Sequence, residues 1–151
     1  MENPEKNKVA YCGLFCGACE HFIKTEAGDL ESLAARTGTS QRLVACEGCR
    51  SKNVSMYCIN CSIKKCAIMK NIEHCGDCDE FPCSPLKAFA KDGSPHHEGL
   101  IEDLEKLKKA GMEKYIISHE QRWSCGHCGR KYSWYQPFCD KCKSKLNAYV
   151  W

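Results

Sequence analysis

The chain has 151 residues, which is enough for one domain or for one domain with a small added module. Fifteen residues are cysteines, so the 43% hydrophobic content overstates the apolar core, and metal binding has to supply part of the folding free energy. The net charge is +3, but residues 122–151 carry six basic residues and one acidic residue, which leaves −2 on the remainder. A basic end on a mildly acidic body indicates a binding partner of opposite charge.

The first eight residues are polar, and we expect them to be frayed. They contain no apolar signal segment, and the chain has no run of about 18 apolar residues, so we expect a cytoplasmic protein that does not span a membrane. In a reducing compartment, cysteines at this density indicate metal or redox chemistry. The odd number of cysteines also argues against a disulfide framework.

The first cysteine motif is Y-C-G-L-F-C-G-A-C, which places Cys12, Cys16 and Cys19 in C-x3-C-x2-C spacing. The same spacing holds the iron–sulfur cluster of radical S-adenosylmethionine enzymes, but this chain is too short for their partial barrel. The alternative is a zinc site with its fourth ligand elsewhere in the chain. His21 is a candidate for that ligand, although a surface histidine at a helix start is the more common case.

Cysteines then repeat through residues 46–83. A C-E-G-C turn is followed by two C-x2-C-x4-C units that lie 17 residues apart, and these motifs contain Cys46, Cys49, Cys58, Cys61, Cys66, Cys75, Cys78 and Cys83. Two thiols in C-x2-C spacing fit a tight turn that directs both sulfurs at one metal ion. We therefore expect each C-x2-C pair to stay on one metal, and Cys12, Cys16 and Cys19 to belong together.

Several helices are predicted between and after these motifs. Leu30, Leu33 and Ala34 form the apolar side of a helix over 29–37 that ends at Gly38, and Ser40 begins a short helix. Further helices are predicted over 62–71, from Pro85 to Ala90, over 96–110 and over 112–122. We expect Met69, Leu86 and Phe89 to lie in the core.

The strongest motif is at the C-terminus, where four cysteines follow the pattern C-x2-C-x10-C-x2-C. They are Cys125, Cys128, Cys139 and Cys142. This spacing predicts a β zinc ribbon, in which two turns close a tetrahedral structural site, although a rubredoxin-like iron site uses the same ligands. Aromatic residues between the basic ones favour either a cover for the metal site or stacking on nucleic-acid bases, and we favour the first.

The expected fold is therefore a small metal-stabilised α+β structure, with short helices around cysteine-rich turns. We divide it into a cysteine-rich metal-binding domain at 1–93, an amphipathic helical pair at 94–121 and a zinc ribbon at 122–151. Eleven cysteines precede residue 84, and one histidine, His21 or His74, would complete three four-ligand sites. Two four-cysteine sites with three free thiols are the alternative.

The opening motif, the C-E-G-C turn, C-I-N-C-S-I-K-K-C-A and E-H-C-G-D-C-D-E-F-P-C resemble a family of short cysteine-rich bacterial and archaeal proteins that is catalogued as a domain of unknown function. The segment E-D-L-E-K-L-K-K-A-G-M-E-K-Y followed by W-S-C-G-H-C-G resembles longer members of this family. The resemblance implies a prokaryotic, soluble, metal-binding protein, and it brings no activity or catalytic residues.

The favoured function is a zinc protein with structural metal sites that acts through partner or nucleic-acid contacts. The sequence contains no Ser/His/Asp arrangement, no phosphate-binding glycine loop and no H-E-x-x-H motif, so an enzyme is not favoured. The alternative is an iron–sulfur redox or sensing protein that uses Cys12, Cys16 and Cys19. Against it, the later spacings do not follow the bacterial ferredoxin pattern.

Overall fold

The computed structural model describes residues 3–151, and within this range the regular structure is helical. Short 3-10 helices alternate with α-helices, and they span Pro4–Lys8, Cys16–Ala18, Cys75–Asp77 and Pro95–His97. The α-helices are α1 Glu20–Ala27, α2 Leu30–Thr37, α3 Gln41–Val44, α4 Ser62–Met69, α5 Ser84–Ala90, α6 Leu100–Ala110 and α7 Met112–Arg122.

The predicted α+β fold with a β zinc ribbon is wrong. Within residues 3–151, the strand pairing consists of three isolated bridges, Val9–Phe15, Ser124–Lys131 and Phe138–Lys145, and no sheet forms. Backbone groups next to the bridges form hydrogen bonds with other parts of the chain. The Trp134 amide, for example, donates to the Ala18 carbonyl at 3.1 Å. Pro137 has no amide hydrogen to donate to a ladder. The C-terminal segment (residues 122–151) therefore consists of irregular turns packed against the N-terminal part.

Helix α6 provides the centre of the core. Leu100, Leu104 and Leu107 are each at most 1% exposed, and they lie on one face of the helix at 3.6-residue periodicity. Tyr115 on α7 is also buried, and its hydroxyl donates to the Gly13 carbonyl at 2.7 Å. One cluster of buried residues extends from Val9 through these helices to Leu146. It joins the residues around Cys12 to the C-terminal segment.

Three local predictions were wrong. Helix α6 begins at Leu100 and not at residue 96, because Gly99 has a φ of +76° and separates it from the preceding 3-10 helix. Met69 was expected in the core but is 84% exposed at the end of α4. Within the N-terminal segment expected to be frayed, residues 4–8 form a 3-10 helix, whereas residues 1–2 lie outside the described range.

Lys8 connects the first 3-10 helix to α7. Its ammonium group is nearly buried and forms ion pairs with Glu5 at 2.9 Å and with Glu120 at 2.6 Å. A charged group in a buried position requires such partners. The pair therefore positions the segment that leads into Cys12.

No helix in the described range is both long enough and apolar enough to cross a membrane.

Candidate metal centre

The C-terminal cysteine group (Cys125, Cys128, Cys139 and Cys142) has the geometry of a site for one metal ion. All four Sγ atoms lie within 4.8 Å of one another. The Sγ atoms of Cys125 and Cys142 are 3.6 Å apart, and those of Cys128 and Cys139 are 3.5 Å apart. Four sulfurs at about 2.3 Å from one ion in a tetrahedron are about 3.8 Å from each other. The group could therefore hold a single ion.

Two turns of the same geometry supply these four thiols. In the first turn the Gly129 amide donates to the Cys125 carbonyl at 2.8 Å, and in the second the Lys143 amide donates to the Cys139 carbonyl at 3.0 Å. Gly129 and Lys143 have positive φ values of 77° and 64°. Glycine adopts this conformation readily, whereas nothing in the sequence identified the equivalent conformation at Lys143.

Ser144 contributes to this site and was missed by the sequence analysis. Its Oγ atom lies 2.9 Å from Cys142 Sγ and 3.3 Å from Cys125 Sγ. This hydroxyl first, and then the backbone amides of Cys128 and His127, lower the pKa of Cys125 to about 6. Since the thiolate is the form that binds metal, this lowered pKa makes Cys125 available as a ligand at neutral pH. Serine at this position has no motif that would have revealed it.

Replacing Gly129 by alanine should destabilise the first turn by about 1 kcal/mol, because alanine is strained at positive φ. No atom lies within 4 Å of the added Cβ position, so the loss of stability reports the backbone strain alone. Gly126→Ala is the control, because Gly126 is in the same turn, has open space around it and has no positive φ. The measurement is the free energy of unfolding of the metal-loaded protein, and equal values for both variants would contradict this prediction.

Aromatic residues of the C-terminal segment divide into buried and exposed groups. Trp123 and Tyr132 are buried with their ring centroids 5.4 Å apart, and the Arg122 guanidinium lies 4.0 Å from the centroid of Trp123. These two rings belong to the same core cluster as Cys125 and Cys139, which supports the interpretation that they cover the metal site. Phe138 and Trp151 are 57% and 78% exposed.

The other eleven cysteines are free thiols, and no three of them bring their sulfurs within 4.8 Å of one another in residues 3–151. These thiols are nevertheless close enough to change one another's pKa values. The pKa of Cys49 is lowered to about 7, chiefly by a hydrogen bond with Cys16. Burial raises the pKa of Cys12, and the thiols of Cys49, Cys61 and Cys75 add to the increase. Cys12, Cys16, Cys49 and Cys61 thus form one neighbourhood, and Cys75 lies next to it.

A second neighbourhood contains Cys19, Cys46 and Cys58. Burial raises the pKa of Cys19 to about 12, and the charges of the other two thiols add to this effect. A third surrounds Cys75, whose pKa is also raised to about 12, first by burial and then by four other thiols. These are the thiols of Cys83, Cys66, Cys78 and Cys61.

The two histidines considered as ligands are in different environments. The Nδ1 atom of His21 lies 2.8 Å from the Val44 carbonyl oxygen. His74 is 5% exposed, its Nε2 lies 3.4 Å from the Asp77 carboxylate, and its Nδ1 has no hydrogen-bond partner among residues 3–151. The His74 ring packs against Gly76, where an added Cβ would be 2.9 Å from Nδ1.

The sequence of this chain was compared with known proteins. Neither a curated protein nor a solved structure matches it. Residues 8–88, which contain all eleven N-terminal cysteines, match a family model. The matched region is more than half of the chain, so this protein belongs to the family described as "Protein of unknown function (DUF3795)".

Proposed function

We propose that this chain is a zinc-binding protein whose metals are structural and that it acts through contacts with a partner or with nucleic acid. The observation that carries the proposal is the C-terminal cysteine group, in which four sulfurs lie within 4.8 Å of one another. Four protein thiolates complete the coordination of a tetrahedral ion and leave no position for a substrate. A structural role follows from this closed ligand set.

Zinc is the metal that such a donor set favours. Thiolates select zinc, copper(I) or iron–sulfur clusters, and tetrahedral four-sulfur coordination is typical of zinc. The sulfur separations of 3.5 and 3.6 Å support a single ion, because a cluster of several irons would hold its cysteines further apart. A mononuclear iron site would have the same geometry, so the metal content has to be measured.

The remaining eleven cysteines extend the proposal to the N-terminal part. We propose residues 1–93 as a metal-binding domain, residues 94–121 as a helical pair packed on it and residues 122–151 as a second metal-binding segment. The density of thiols in residues 12–83 supports this division. A core that contains many cysteines gains folding free energy from metal, on the order of 10 kcal/mol for each structural zinc.

The experiment is purification without oxygen, followed by a visible spectrum and measurement of zinc, iron and acid-labile sulfide. Colourless protein with several zinc ions per chain is the expected result. Brown protein with sulfide would contradict the zinc proposal and would favour the iron–sulfur alternative at Cys12, Cys16 and Cys19. Protein without bound metal would contradict both.

The exposed basic side chains near the C-terminal cysteine group support a contact with an acidic partner. Arg130, Lys131, Lys141 and Lys145 are exposed, and so is the ring of Phe138. Basic groups bind phosphates while an exposed ring stacks on a base, and the affinity of such a complex falls as salt increases.

The double variant Lys131→Gln/Lys141→Gln should weaken binding to single-stranded oligonucleotide and reduce its salt dependence, because each phosphate contact contributes about one unit of slope. Lys108→Gln/Lys109→Gln on α6 is the control, since both lysines are exposed and distant in sequence. Fluorescence anisotropy over a salt series measures both quantities. An affinity that does not depend on salt, or that changes equally in both variants, would count against nucleic acid and in favour of a protein partner.

A further inference from the structure

We propose that His21 completes, with Cys19, Cys46 and Cys58, a four-ligand centre for a zinc ion in the N-terminal part. This inference rests on the proposed zinc-binding function and deepens it by assigning a site. The sequence left two histidines and several groupings of cysteines open, and the contacts around His21 distinguish between them.

The hydrogen bond of His21 determines which ring nitrogen is free. Its Nδ1 lies 2.8 Å from the Val44 carbonyl oxygen, which can only accept a hydrogen bond. Nδ1 therefore carries the proton, and the lone pair is on Nε2. Histidines that bind metal usually donate their other N–H to a carbonyl or carboxylate, which fixes the tautomer and the orientation of the ring. His21 has this arrangement.

Helix α1 positions His21 beside the proposed thiols. Cys19 is the residue that precedes α1, and His21 lies in its first turn. Val44, which accepts the hydrogen bond of His21, is two residues before Cys46. Thr25, one turn further along α1, accepts a hydrogen bond from the Cys46 amide at 2.8 Å. Two contacts therefore hold the approach to Cys46 against this helix.

Cys58 approaches the same face of α1. The ring of Tyr57 meets the His21 ring edge to face, with centroids 5.3 Å apart. The Met56 amide donates to the Leu43 carbonyl at 2.8 Å, which ties residues 56–58 to α3. The four proposed ligands thus come from three segments that converge on His21.

The grouping also accounts for the other thiols. Each of three C-x2-C turns would then give one cysteine to this centre and leave the other, Cys16, Cys49 or Cys61, for a second centre with Cys12. Cys66, Cys75, Cys78 and Cys83 would form a third centre without a histidine. Twelve ligands then form three centres. This differs from the sequence expectation that each C-x2-C pair stays on one metal.

Metal binding has to draw these side chains together, because within residues 3–151 no three of the donor atoms of His21, Cys19, Cys46 and Cys58 lie within 4.8 Å of one another. Rotation about side-chain torsions supplies such movement at modest cost. His74 is not assigned to this centre, because its free Nδ1 faces the backbone of Gly76, where an added Cβ would lie 2.9 Å away.

The test uses full-length protein labelled with nitrogen-15 and loaded with cadmium-113, a spin-active substitute for zinc. We expect a one-bond coupling between cadmium-113 and Nε2 of His21, with Nδ1 protonated. Cadmium bound at the C-terminal cysteine group without this coupling would overturn the assignment and leave the proposed function standing. A chain that binds no cadmium at all would overturn both.

Metal counts by native mass spectrometry provide a second readout. His21→Ala should bind one ion fewer per chain than the wild type, whereas His21→Cys should retain the full number because a thiolate replaces the imidazole. His74→Ala is the matched control and should also retain the full number. An unchanged count in His21→Ala, or the loss of an ion in His74→Ala alone, would overturn the assignment.

Discussion

The variant Cys139→Ser is expected to lose one metal ion per chain and several kcal/mol of stability. Cys139 is 1% exposed and belongs to the same core cluster as Trp123 and Leu146. A structural zinc site contributes on the order of 10 kcal/mol, much of which is folding free energy. Without the fourth thiolate, the C-terminal segment also loses the link between its two turns. Denaturant unfolding followed by tryptophan fluorescence measures the change.

The matched control for Cys139→Ser is His127→Ser. His127 is exposed within the first turn and does not belong to the C-terminal cysteine group. It should keep the metal and change stability by less than about 0.5 kcal/mol. A Cys139→Ser protein with wild-type stability would show that the thiols of this group do not hold a metal.

Gly48→Ala is expected to destabilise the protein by about 2–4 kcal/mol and to disrupt the turn between Cys46 and Cys49. Gly48 has a φ of +94°, and an added Cβ would lie 2.0 Å from the carbonyl oxygen of Asn7. Positive φ alone costs alanine about 1 kcal/mol, and overpacking against rigid backbone adds about 1–3 kcal/mol. The measurements are the free energy of unfolding and the number of bound metal ions.

Gly28→Ala separates the two causes of this effect. Gly28 ends α1 with a φ of +73°, but no atom lies within 4 Å of the added Cβ. This variant should lose only about 1 kcal/mol and keep every metal ion. If both glycine variants lost the same stability, the close approach of residues 46–49 to Asn7 would be wrong.

Local signals in the sequence predicted most helices. Helix α2 lies over Leu30–Thr37 and ends at Gly38 with a φ of 68°, and α7 has the predicted range Met112–Arg122. These elements were predictable because apolar periodicity and a glycine stop are encoded within one or two turns. The start of α6 was not predictable in this way. The helical sequence pattern continues through Gly99, whereas the backbone at Gly99 is not helical.

The missing sheet has a different cause. The C-x2-C spacing correctly indicated two cysteine turns, but strand pairing depends on what the flanking backbone meets in space. The Trp134 amide bonds to Ala18, a residue more than one hundred positions away. Nothing in the local sequence encodes such a contact. The role of Ser144 beside Cys125 and Cys142 was unpredictable for the same reason, since it depends on the two turns facing each other.

The grouping of the N-terminal thiols also depends on long-range contacts. Spacing alone suggests that two cysteines in one turn share a metal, because the turn itself brings their two sulfurs together. The structure instead brings Cys16 close to Cys49. It also holds His21 against Val44, which lies beside Cys46. The sequence could name the possible ligands, but their partners are determined by how α1 packs on the following turns.

The most direct test of zinc binding by these thiols is the X-ray absorption spectrum of the protein purified without oxygen. We expect a signal at the zinc absorption edge, with mostly sulfur atoms as the nearest neighbours of zinc at about 2.3 Å. A signal at the iron edge with neighbouring iron atoms, or a zinc shell of oxygen and nitrogen only, would contradict this prediction.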